Sequence, residues 1–286
     1  MRLTNKHVII TGGSSGIGFA TAQRVLMRGA SVSLIARNRA RLADAADLLR
    51  PLAQRSGQRI EIANADVSHS HDIQQAIASL IQRAGPCDVL VTSAGMTQPG
   101  YFEQLDDSVF QELMNVNYFG TLNAIRAVVP QMMQRRSGAI VGISSVVGIL
   151  GIFGYTAYAP SKFAVRGLLE ALRHELKPYN ITVSIVYPPD TDTPQLAYEN
   201  QFKPLETSRI SGTIKPLSAD KIGAAIAHGI MKRRTVITAD RQSAMLVRLS
   251  SVADPVLRML MDRTIRKARH EQAQLPSPPS AQEREG

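Results

Sequence analysis

A tyrosine, a lysine and a serine stand at spacings that could move a proton. Tyr158 lies four residues before Lys162, and Ser145 lies thirteen before Tyr158. On a helix, positions four apart share a face. A free phenol has a pKa of about 10, too high for exchange at neutral pH. A neighbouring ammonium favours the phenolate and lowers that value. The pair therefore reads as a proton donor to a developing alkoxide, with Ser145 placed to donate to the same oxygen. Tyr155 competes for the acid's role, but the residue four positions on is Ala159, which carries no charge. Ser144 competes with Ser145, and the thirteen-residue spacing favours Ser145.

A second cluster opens the chain: Thr11-Gly12-Gly13-Ser14-Ser15-Gly16-Ile17-Gly18, between an apolar run and a helical stretch. There the backbone must turn sharply and approach a pyrophosphate at a helix N-terminus. A plain tight turn is the bland alternative, and the strand-before, helix-after setting favours the nucleotide. At the end of the second apolar run an NAD site places a carboxylate for the ribose hydroxyls. This chain has Ala36 and then Arg37-Asn38-Arg39-Ala40-Arg41. A guanidinium grips a 2′-phosphate through paired charged hydrogen bonds. A merely solvated helix start is disfavoured, because arginines there oppose the helix dipole. The expectation is NADPH/NADP+, with Arg37 as main contact and Arg41 beside it. Asp66, followed by Val67, either accepts from an adenine amino group or forms a turn. Ser93-Ala94-Gly95 is small enough for a cofactor to lie close to the backbone. Glycine loop and tyrosine site together point to redox chemistry on a carbonyl or alcohol.

Short apolar runs alternate with longer helical stretches, the pattern of a parallel sheet covered on both faces. The expected strands are His7–Thr11, Ser31–Ala36, 59–63, Val89–Thr92, 139–144, 182–187 and 235–238. The expected helices are 16–28, 39–55, 71–83, 108–135, 157–179 and Ala219–Lys232. Gly29, Gly57, Gly85 and Gly138 fall where helices should end. Pro188-Pro189 must stop the sixth strand. The stretch 190–216 is too long for a simple connection and reads as a substrate lid. The fold expected is thus α/β: a doubly wound parallel sheet over residues 1–240, lid included, then a C-terminal helical extension over 241–270. The Pro-rich tail 271–286 is expected to be disordered.

The chain of 286 residues suits one large α/β domain, and 44% hydrophobic content suffices for its core. The single cysteine, Cys87, excludes an internal disulfide and favours a reducing, cytoplasmic setting. Six histidines lack metal-binding spacing, so no metal is expected. Only six residues precede the first strand, so no leader is expected. No apolar run is long enough to span a bilayer. The net charge of +10 is concentrated near the C-terminus, where residues 231–270 hold ten Lys/Arg against three Asp/Glu. No aromatic residues lie among those cations, which argues against nucleic acid.

These residues resemble the short-chain dehydrogenase/reductase family over about residues 5–240. The resemblance implies a seven-stranded Rossmann sheet and a catalytic tetrad of Asn117, Ser145, Tyr158 and Lys162, with Asn117 holding a water that relays protons past the lysine. It also implies cofactor contacts from Pro188, Thr191 and Thr193, with Thr193 on the nicotinamide carboxamide, and pairing of subunits through the long helices. Two departures stand out: Pro188-Pro189 in place of a Pro-Gly turn, and Thr92-Ser93-Ala94-Gly95 in place of Asn-Asn-Ala-Gly.

A narrower resemblance, to a subfamily that reduces the 3-keto group of a long-chain sphingoid base with NADPH, rests on three segments. They are Tyr187-Pro188-Pro189-Asp190-Thr191-Asp192-Thr193-Pro194, Lys203-Pro204-Leu205-Glu206-Thr207 and Gly151-Ile152-Phe153-Gly154-Tyr155-Thr156-Ala157-Tyr158. Another lipophilic ketone or a 3-oxoacyl thioester is the alternative substrate, and a non-catalytic nucleotide-binding scaffold the alternative class. In 241–270, Met245, Leu249, Val252, Val256, Leu260 and Ile265 recur at roughly helical spacing among basic residues, interrupted by Pro255. Such a helix lies on an anionic membrane surface, or packs on its own domain or a second subunit.

Overall fold

Each strand of a parallel sheet buried on both faces must be apolar on both, and β1 (His7–Thr11) is buried at every position. In the computed structural model, which describes residues 1–53, 57–212 and 215–274, seven strands form one sheet. β2 is Ser31–Ala36, β3 Ile60–Asn64, β4 Val89–Thr92, β5 Gly138–Ile143 and β6 Ile181–Val186; β9 is Val236–Ile237. Their order is β3-β2-β1-β4-β5-β6-β9, with every neighbouring pair parallel. The order reverses between β1 and β4, which opens a crevice at the carboxyl ends of these strands.

Alternate β1 side chains feed two cores. Val8 and Ile10 join Val25 of α1 (Gly16–Leu26), Leu42 of α2 (Arg39–Leu49) and Ile226 of α9 (Ala219–Lys232). Ile9 faces the other way, to Ile77 of α3 (Ser70–Ala84), Ile125 of α5 (Gly120–Arg135) and Val165 of α6 (Tyr158–Leu176). This two-residue alternation makes the sheet doubly wound. The expected fold class holds.

Details differ from expectation for local reasons. The helix expected over 108–135 is α4 (Asp107–Leu113), a π-helical segment (Met114–Phe119) and α5. The helix expected over 39–55 gives way after Leu49 to a 3₁₀ turn holding Pro51; residues 54–55 lie outside the described residues. Gly138 is the first residue of β5 and not a cap; Arg136 takes the left-handed conformation that ends α5.

The segment 190–216 carries α7 (Pro194–Glu199) and α8 (Leu205–Ser211). Its ends are tied by a two-residue parallel pair, β7 (Thr191–Asp192) with β8 (Leu217–Ser218). Its tip folds back onto the loop before α6. Gly154 has φ +81°, and a Cβ there would come within 2.2 Å of Thr207 Oγ1. Thr207 donates to Phe153 O at 2.9 Å. Two of the segments that suggested the subfamily therefore pack on each other.

The C-terminal extension is one helix, α10 (Arg241–Gln274), running through Pro255. Its far end is tied to the lid: Arg269 donates to buried Glu206 at 3.3 Å, and Arg209 pairs with Glu271 at 2.7 Å. Met245, Leu249, Val256, Met259 and Leu260 are exposed. The side chain of Val252 and the tail beyond Gln274 fall outside the described residues. Among those described, no helix is long and apolar enough to cross a membrane.

Candidate active site

The crevice at the sheet's carboxyl edge is a cleft of about 720 Å³. One end is walled by Gly12, Ser14, Ser15, Gly16 and Ile17, with Arg37 and Arg41 beside them. Asp66, Val67, Ala94 and Gly95 line the middle, and Ser145, Tyr158, Lys162, Pro188, Thr191 and Thr193 the other end. Of the residues expected at the site, Gly18 and Asn117 do not line the cleft; each acts on it from behind.

Gly18 lets α1 start close to the sheet, since a Cβ there would sit 2.3 Å from Gly12 O. Gly12 has φ +66°, and its Cβ would meet Ala94 N at 2.6 Å. A Cβ on Gly95 would lie 3.1 Å from Asn117 Oδ1 and 3.3 Å from Lys162 Nζ. Any side chain at these positions would fill the cradle or break its wall, so the site fits a dinucleotide whose phosphates approach backbone at a helix N-terminus.

Asn38 caps α2, its Oδ1 accepting from Arg41 N at 3.0 Å. Arg37 is largely exposed, and its only ion pair among the described residues is with Asp66 at a long 3.7 Å. Asp66 Oδ1 accepts from Ser68 N at 2.9 Å and Ser68 Oγ at 2.7 Å, so it builds the turn while also lining the cleft. Burial works against its charge, yet the Ser68 bonds and the Arg37 guanidinium hold its pKa below the usual value.

Tyr158 opens α6, and Lys162 lies one turn on, its Nζ 5.6 Å from the phenol ring centroid. Nζ donates to Ile143 O at 3.2 Å, the last residue of β5. Ser145 follows β5 and lines the cleft with the Tyr158 phenol, whose pKa it pulls down; its Oγ accepts from Val147 N at 3.2 Å. Ser144 also lines the cleft, but its hydroxyl is engaged, donating to Lys162 O at 2.9 Å. Asn117 sits in the π-helical segment, a distortion frequent at functional sites. Its Oδ1 accepts from Met96 N at 2.9 Å, and its Nδ2 donates to Met96 O at 3.0 Å and Ser161 Oγ at 2.9 Å. It thereby ties the loop after β4 to α6.

The phenol's acidity departs from the expectation that the ammonium lowers it. Burial, aided by the charges of Glu199 and Asp190, pushes Tyr158 above the ordinary phenol value, against the pull of Ser145. Burial also draws Lys162 down to about 8. Burial thus sets a protonated phenol beside a weakened ammonium.

Residues that sequence reasoning missed come from the lid. Tyr155 is no second acid. Its hydroxyl donates to Glu199 Oε1, and burial followed by that carboxylate raises its pKa. Glu199 and Asp190 are bridged by Lys203, at 3.1 and 3.2 Å. The one legible signal was the i, i+4 spacing of Glu199 and Lys203.

The short chain dehydrogenase family model matches residues 6–204. A 3-ketodihydrosphingosine reductase of Bos taurus is 44% identical over 227 residues, 79% of this chain and 68% of the relative. One from Dictyostelium discoideum is 41% identical over 243 residues, covering 80% and 73%. Among solved structures, a short-chain dehydrogenase from Sphingobium yanoikuyae in complex with NADPH is 29% identical, with a TM-score of 0.74 over 96% of this chain and 98% of that one. Sequence match, sheet order and glycine cradle agree, and this chain belongs to the short-chain dehydrogenase family of nicotinamide-dependent oxidoreductases.

Proposed function

We propose that the protein reduces the 3-keto group of 3-ketodihydrosphingosine, a long-chain sphingoid base, with NADPH. The observation that carries the chemistry is Tyr158, a phenol on the cleft wall shared with Ser145 and backed by Lys162. Relatives named 3-ketodihydrosphingosine reductase, at 41–44% identity, support the substrate. The bound cofactor supplies the hydride. The protein's part is the proton and its placement. A phenol held protonated by burial suits donation to an alkoxide as it forms. Ser145 shares that oxygen and stabilises its charge. Lys162, charged below about pH 8, stabilises the phenolate left behind. Asn117 acts as a positioning residue through Met96 and Ser161.

Arg37 supports the choice of NADPH, because its guanidinium is at the cleft, exposed and weakly engaged. The exposed apolar residues of α10, among Arg248, Arg258, Arg263, Arg266 and Lys267, suit a peripheral membrane contact through which a greasy substrate arrives. Phe119 and Phe163, exposed on the long-helix side, suit pairing with a second copy.

The test follows NADPH consumption by purified protein with 3-ketodihydrosphingosine in mixed micelles, beside a 3-oxoacyl thioester and a steroid ketone. Turnover of the sphingoid ketone is expected. Turnover of only the other two would discard the substrate; NADPH binding without turnover of any would favour a scaffold.

A further inference from the structure

The lid end of the cleft holds a charge cluster that proton donation to a ketone does not need. The Tyr155 ring lies 5.7 Å from the Tyr158 ring, centroid to centroid. The Tyr155 hydroxyl donates to Glu199 Oε1. Lys203 Nζ reaches the same Oε1 and Asp190 Oδ2. Two carboxylates against one ammonium leave one negative charge, in a chain whose net charge is +10. Both contacts to Glu199 fall on one oxygen, so among the described residues the other is uncommitted.

The placement is asymmetric. Glu199, Asp190 and Tyr155 line the cleft with Tyr158, whereas Lys203, only 4% exposed, stands behind them. A buried carboxylate short of counter-charge is costly, and burial raises the pKa of Glu199 despite the pull of Tyr155 and Lys203. Uncompensated negative charge on the wall that also carries the proton donor describes half of a polar recognition site. The missing half is a cation.

We propose that Glu199 and Asp190 recognise an ammonium carried by the substrate on the carbon next to the reacting carbonyl. The preferred substrate class is therefore 2-amino ketones. This rests on the reductase reading above and deepens it: the lid selects the head group by charge, and the alkyl chain adds only apolar contact. Glu199 and Asp190 are specificity residues, distinct from the group that moves the proton.

The experiment compares kcat/KM for 3-ketodihydrosphingosine with that for the same chain bearing hydrogen in place of the amine, and for its N-acetyl derivative. The wild-type protein is expected to favour the free amine by about tenfold or more, as a charge-assisted hydrogen bond implies. Glu199→Gln and Asp190→Asn should each pull that ratio toward one. The wild-type comparison needs no variant, so misfolding of either substitution leaves the test standing. Equal efficiency on amine and deaminated ketone would overturn the inference while keeping the reductase reading. An unchanged ratio in both folded variants would do the same. No turnover of any of the three would withdraw the reading beneath it, and the inference with it.

Discussion

At the glycine-loop end of the cleft the wall is backbone and small residues, whereas at the lid end it is polar side chains joined in one network. The first end works by what is missing: a Cβ at Gly12 or Gly18 would collide with main chain at 2.6 or 2.3 Å. The second works by what is held in place: Tyr155, Glu199, Lys203 and Asp190 in one chain of contacts. Backbone geometry is shared by any nucleotide site of this fold. A side-chain network is particular to one substrate. On the proposal above, the cofactor end is generic and the lid end specific, and Tyr158 stands between them.

The largest expected effect is at that midpoint. Tyr158→Phe should lower turnover by about 10²–10⁴-fold, the usual worth of a general acid, while cofactor binding is kept. Tyr155→Phe loses the bond to Glu199 but no proton donor, so it should cost about tenfold or less. Steady-state rates beside a cofactor titration by fluorescence would separate them. Equal losses would erase the distinction between acid and lid.

Next comes the generic end. Gly18→Ala should abolish measurable cofactor affinity and destabilise the fold by about 1–3 kcal/mol through overpacking. Gly167→Ala, in α6, meets nothing within 4 Å and should be neutral or slightly stabilising. Thermal melts with and without NADPH give both readouts. A Gly18→Ala protein that still binds cofactor would refute the backbone account of that end.

Legibility divides along the same line. Strand periodicity, the glycine loop and the Tyr158–Lys162 spacing are local, so a linear reading finds them. The lid network joins residues far apart, Tyr155 with Glu199 and Asp190 with Lys203, and only Glu199–Lys203 left a trace at helical spacing. The π-helical segment around Asn117 has no sequence pattern of its own and was hidden inside one long apolar helix. Arg136, not Gly138, capping α5 is a tertiary override: a Cβ on Gly138 would press Met132 Sδ at 2.5 Å, so that glycine serves packing.

A smaller effect tests cofactor choice. Arg37→Ala should cut the NADPH-to-NADH ratio of kcat/KM by about tenfold or more, the value of one charged contact to a phosphate. The loss should fall on the NADPH arm. A ratio that does not move would assign the 2′-phosphate to Arg41 or to neither arginine.

The smallest effect concerns stability. Lys162 is 5% exposed and burial brings its pKa from 10.5 to about 8. Between those values the unfolded chain binds more protons than the folded one, so wild-type stability should rise with pH from about 8 toward 10.5 and be flat below 8. At neutral pH the full cost of burying the ammonium is present, about 3 kcal/mol at most. Lys162→Met keeps the shape and removes the charge. It should raise the melting temperature by several degrees at pH 7, narrow that advantage by pH 10, and lose most turnover. Melts across this pH range decide it. A variant that melts lower than wild type at pH 7 would mean that the bond to Ile143 O outweighs the desolvation of Nζ. The charged side of the cleft would then stabilise the fold, as the backbone side does.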